Sequence, residues 1–227
     1  MKQLLKYCSV DLLAAQRHDL RQWAARIGSL LLLSVALSGC VGELLQSKVT
    51  EPQTYVLHAS DAGAAKVAYA LQLSVATPTA APGLDTARIA VLRNANQLDY
   101  YYGARWGGTA PEVAQAFLIA LLQSQQGFKG VVAEHVRVDA DYLLELELRD
   151  FQAEYASEHA NPAAHVTLTG TLINIKSRKP VATVTGTAKA TAKDNRLGAV
   201  ITAFQSAAQQ ASASLSEQLT GSLGKQP

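Results

Sequence analysis

Three patterns in the 227-residue chain point to an α+β domain of two layers, a mainly antiparallel sheet with two long helices on one face. Val67, Tyr69, Leu71, Leu73 and Val75 alternate with less apolar neighbours, as do Tyr142, Leu144, Leu146 and Leu148. That period of two belongs to strands with one buried face. Residues 109–127 and 197–219 instead repeat apolar side chains every three or four positions, the spacing of a helix face. Segments 165–176 and 181–191 are rich in β-branched residues and flank the turn "SRKP", as a hairpin requires. Strands that neighbour in sequence pair as hairpins, and two helices suffice to cover one side of the sheet.

Taken in order, "TYVLHA" (54–59) is a short β-branched and aromatic strand, and 66–78 is the alternating second one. Pro78, Pro82 and Gly83 mark a loop. "RIAVLR" (88–93) and "QLDYYYGARW" (97–106) form a hairpin around "NAN". Thr109 and Glu112 are spaced as a capping box, Pro111 suits the first helical turn, and Gly127 is the expected C-cap. Residues 130–155 return to strand, with Glu145, Glu147 and Arg149 on a wet face opposite the leucines. The last helix carries Leu197, Ile201, Phe204, Ala208, Ala211, Leu215 and Leu219 as its stripe. This domain spans 54–222, and 223–227 is a loose tail.

The N-terminal part reads as an address. Arg21 and Arg26 precede an uncharged run of 13 residues, Ile27 to Gly39. A membrane-spanning helix needs about 20 apolar residues, so this run fits a cleaved secretory signal (1–39). It ends in "LSGC", Leu37 to Cys40, which matches a bacterial lipoprotein box: small residues admit the peptidase, and the acylated (palmitate-bearing) Cys40 becomes the new N-terminus. Val41, not Asp, follows the cysteine, which by analogy directs the protein to the outer membrane. Residues 1–20 make an over-long n-region, as a start codon placed too early would. Residues 40–53 then form a lipidated tether.

Removing 1–39 leaves 188 residues with 15 Lys/Arg and 16 Asp/Glu, a net charge of −1. One domain of that size buries a real core, and its near-neutral charge offers no footprint for nucleic acid. Cys8 leaves with the signal and Cys40 carries lipid, so no disulfide or thiolate metal site is expected.

Chemistry is scarce. His58, His135, His159 and His165 lack the spacing of a helical metal site, and His159 and His165 bracket "ANPAA" as in an exposed loop. Asp139 and Asp141 sit at a turn, and Glu145 and Glu147 on a solvated face. There is no nucleophile elbow, phosphate loop or dinucleotide fingerprint. The expectation is a protein with no catalytic residues, no metal and no cofactor.

The crowded aromatics at 100–106 are the main functional signal. On a regular strand Tyr100 and Tyr102 share a face and pack inward, while Tyr101 lies opposite. Arg, Tyr and Trp dominate binding hot spots, so Tyr101, Arg105 and Trp106 are the candidate partner-contact surface.

The block 83–128 resembles the ABC-transport auxiliary lipoproteins, of the paraquat-inducible-locus type. The pieces that carry the likeness are "LDTARIAV", "LDYYYGARW" and an amphipathic helix ending in "GF", with the lipobox and "YVL" upstream. The resemblance implies partners: an MCE-domain substrate-binding protein, with an ABC permease and ATPase, in a system moving phospholipid between the two membranes. It implies a docking role at the periplasmic face of the outer membrane, compatible with homo-oligomers, and no catalytic residues. The alternatives are an envelope lipoprotein that activates cell-wall synthesis enzymes, a hydrolase using His135 or His159, and a direct lipid carrier.

Overall fold

The computed structural model describes residues 51–224, apart from 62, 95, 158 and 159. The signal 1–39, Cys40, most of the tether and His159 lie outside the described residues. The elements are β1 (Gln53–Tyr55), β2 (Tyr69–Val75), β3 (Thr79–Ala80), β4 (Arg88–Arg93), β5 (Gln97–Trp106), α1 (Ala110–Ser124), β6 (Phe128–Ala133), β7 (Tyr142–Glu154), β8 (Ala163–Asn174), β9 (Lys179–Thr191) and α2 (Leu197–Leu223). The architecture is α+β, as expected. Among the described residues no helix is long and apolar enough to cross a membrane.

Strand β7 is the spine of the sheet. One edge pairs antiparallel with β8 from Tyr142↔Asn174 to Glu154↔Ala163, and β8 pairs antiparallel with β9. Along its other edge three strands lie parallel in succession: β2 beside Tyr142–Leu144, β3 beside Glu147 and Leu148, and β4 beside Gln152–Glu154. Outside these, β6 pairs parallel with β2, β5 antiparallel with β4, and β1 parallel with β5. The longest ladders are thus antiparallel, while five shorter pairings are parallel.

Alternation along β7, β8 and β9 sorts the side chains. Leu144, Leu146, Leu148 and Phe151 turn inward with Leu172, Leu168, Val166 and Val184. The opposite face carries threonines in cross-strand pairs, Thr167–Thr187 at 2.8 Å and Thr169–Thr185 at 3.2 Å between hydroxyls.

Helix α1 has the capping box read from its sequence: the Glu112 carboxylate accepts from Thr109 N–H and the Thr109 hydroxyl from Glu112 N–H. Its C-cap is Gln125, and Gln126, not Gly127, takes the left-handed conformation, at φ 52°. Gly127 instead admits Ala65, whose Cβ would lie 2.9 Å from a side chain there. Helix α2 buries Val200, Phe204, Ala207, Ala211, Leu215 and Leu219. Its small residues let it approach β9 so closely that a Cβ on Gly186 would collide with the Ala211 carbonyl.

Strand β1 ends at Tyr55, so residues 56–59 are not strand, contrary to the expectation for 54–59. Residues 56–61 form a strap along the helices. The side-chain amides of Gln205 and Gln209 each pair with both backbone groups of one strap residue, His58 and Ser60 respectively. The match is geometric: alternate residues of an extended chain repeat at about 6.6 Å, and helix positions four apart at about 6 Å. Leu57 and Ala59 point the other way and pack on the core. Gln218 pairs likewise with Thr185 and covers part of the free edge of β9.

Candidate functional site

The aromatic strand does not run regularly. Between the pairs Arg88↔Arg105 and Ala90↔Tyr100, β5 spends five steps where β4 spends two. The extra residues form a bulge at Tyr101–Ala104, and Gly103 supplies its left-handed turn at φ 66°. A bulge of this kind resets which face each side chain takes.

This corrects the assignment of the contact residues. Trp106 is 1 % exposed and belongs to the core, its ring 5.1 Å from Phe204 and 5.4 Å from Phe151. It has no place on a surface. Tyr101 is half-buried; its hydroxyl lies 3.2 Å from that of Tyr155, which donates to the side-chain Oδ1 of Asn195 just before α2. Burial, then the Tyr155 hydrogen bond, raises the Tyr101 phenol well above its ordinary value. Arg105 is exposed, with Nε donating to the Thr54 hydroxyl at 3.1 Å. Tyr102, expected inside, is 96 % exposed at the crest of the bulge. Tyr100 is pinned by its hydroxyl to the Gly83 carbonyl (2.9 Å), under the Arg88 guanidinium 3.7 Å above its ring. Of these side chains Tyr102, Arg105 and Leu98 are exposed, Tyr102 almost fully.

A second group of side chains is brought together by β7, β8 and β9. His165 lies in β8, not in an exposed loop, opposite Gln152 of β7 and Lys189 of β9. Its Nδ1 is 2.7 Å from Glu154 Oε1, and its Nε2 is 3.7 Å from Asp150 Oδ2. Lys189 Nζ donates to Glu154 Oε2 at 2.6 Å. Gln152, 6 % exposed, donates from one amide nitrogen to both carboxylates, at 3.0 and 3.1 Å. Burial opposes the charge on Glu154, but the hydrogen bonds of Lys189, His165 and Gln152 outweigh it and hold its carboxyl below the ordinary value. Beside this cluster is a cavity of about 610 Å³ lined by Leu92, Asn94, Tyr155, Ala156 and Ala163, with Glu154 and Lys189 on its wall. Only cross-strand register unites these residues; Glu154 and His165 are 11 apart in sequence, a spacing with no local meaning. His135, one of the histidines of the hydrolase alternative, is exposed in the loop after β6 and outside this cluster.

The fold recurs in solved structures. A crystal structure of a Xanthomonas campestris protein shares 25 % identity, with a TM-score of 0.68 over 77 % of this chain and all of that one. Another, of an uncharacterized protein, matches at a TM-score of 0.59 and 15 % identity, over 74 % of this chain and 99 % of that one. No curated protein matches the sequence. Residues 55–216, from the end of β1 to the last turns of α2, match the model of the ABC-type transport auxiliary lipoprotein component. A match over that much of the sequence places the chain in the family of ABC-type transport auxiliary lipoproteins.

Proposed function

We propose that the chain is a non-catalytic subunit of an MCE-type ABC transporter, held at the periplasmic face of the outer membrane by lipid on Cys40. It docks the MCE-domain substrate-binding protein so that phospholipid passes between the two membranes. The family match over residues 55–216 carries this reading. The "LSGC" box supports the anchor, since several acyl chains at about 0.8 kcal/mol per buried methylene make attachment lasting. The exposed Tyr102 and Arg105 of β5 support the docking role, because these side-chain types concentrate binding energy.

A photo-crosslinking residue placed at Tyr102 tests the reading in cells. The expected product is an adduct with the MCE-domain protein, lost when Cys40→Ser leaves the chain unanchored. Adducts with no transporter component, together with unchanged capture of the MCE protein by the Tyr102→Ala, Arg105→Ala double variant, would sink it.

A further inference from the structure

We propose that Asp150, Glu154 and His165 form a zinc site at the mouth of the cavity between the β4–β5 turn and the ends of β7, β8 and β9. One donor atom from each of the three lies within 4.8 Å of the other two. All three side chains are partly buried, 17–30 % exposed. An imidazole with two carboxylates is a donor set that Zn²⁺ accepts, and three protein ligands leave a fourth position open. Glu154, with Lys189 on it, also lines the neighbouring cavity.

The support around the ligands is in place. The side-chain Oε1 of Gln152 accepts from the Phe151 N–H at 2.7 Å, which orients its amide nitrogen toward both carboxylates. Such outer hydrogen bonds fix ligand carboxylates in metal sites. One nitrogen of His165 binds the ion and the other keeps a hydrogen bond to a neighbour, the usual arrangement of a ligating imidazole. Tetrahedral donors about 2.1 Å from zinc lie about 3.4 Å apart, so donors up to 4.8 Å apart close by up to about 1.4 Å while the 2.7 Å His165–Glu154 contact opens slightly, through side-chain rotation.

Lys189 is the competing cation. Its ammonium sits on Glu154 at 2.6 Å while its side chain is 55 % exposed. It neutralises the carboxylate without metal and swings to solvent when zinc arrives. This gives the site a signature that a plain salt-bridge network lacks: removing the lysine strengthens metal binding.

The test uses the full chain without an affinity tag, purified in detergent and stripped with chelator. Zinc chloride is titrated by calorimetry, and cobalt(II) absorption reports the coordination. The expected result is one equivalent bound, weakened about tenfold or more in His165→Ala and tightened several-fold in Lys189→Met. Replacing His58, His135 and His159 together leaves binding unchanged. Absence of stoichiometric binding, or equal affinity in wild type and a folded His165→Ala, overturns the site. If His165→Ala does not fold, Lys189→Met decides, and unchanged affinity there overturns it as well.

Discussion

The Trp106 indole meets Phe204 of α2 nearly edge-on, centroids 5.1 Å apart and planes at 84°. Its N–H has no hydrogen-bond partner among the described residues. The contact ties the end of β5 to the long helix, so this tryptophan acts on stability. Trp106→Ala is expected to cost about 3–5 kcal/mol. Trp106→Phe is expected to cost less than about 2 kcal/mol, because it deletes a buried, unsatisfied donor together with part of the ring. Urea denaturation of the two variants checks the ordering; equal losses would refute it.

Gly186 and Ala211 set the spacing of α2 on the sheet. Gly186→Ala forces backbone against backbone, with no flexible side chain to yield. The expected loss is about 2 kcal/mol or more, read as a drop in Tm of at least about 4 °C for a domain this size. A Tm within a degree of wild type would show that the helix slides freely.

The strap makes a local prediction. Gln205→Ala with Gln209→Ala removes four hydrogen bonds to His58 and Ser60. The amides of those two residues are expected to lose exchange protection while those of β7 and β8 keep theirs. Mass-resolved hydrogen exchange distinguishes this from a global loss, which would mean the strap is integral to the fold.

Asp194 and Arg196 pair just before α2, and the guanidinium holds the carboxyl down at about 2, from an ordinary 3.8. A depressed acid favours the folded state above its unfolded value. The contribution is therefore complete above about pH 4 and disappears as pH falls through about 2. Because the pair is exposed the effect is small, and Asp194→Asn is expected to flatten this part of the acid titration without changing stability at pH 1. A larger difference at pH 1 than at pH 7 would reverse the sign and refute the assignment.

Much of this molecule is visible in local sequence. The Thr109–Glu112 box, the alternating leucines of β7 and the hairpin of β8 and β9 stand in the structure as read, because each is decided by neighbours within a few residues. What could not be read depends on distant partners. Trp106 is core because three extra residues in β5 rotate the strand end. The strap resembles a strand in sequence because alternating Leu57 and Ala59 pack inward just as they would in one, while its hydrogen bonds go to glutamine side chains 147 and 149 residues away. Asp150, Glu154 and His165 meet only through the register of β7 on β8.

The position of β7 also bears on how the chain folds. Strands β2, β3 and β4 do not pair with one another; apart from the local β4–β5 hairpin and the β2–β6 pair, they are joined only by residues 142–154, some 60 to 70 positions later. Ladders closed over such distances form slowly, since loop entropy is lost before any contact repays it. During synthesis the first half of the domain therefore emerges with only two-stranded pieces such as the β4–β5 hairpin, which are marginal on their own, and the full sheet assembles only once its central strand has emerged.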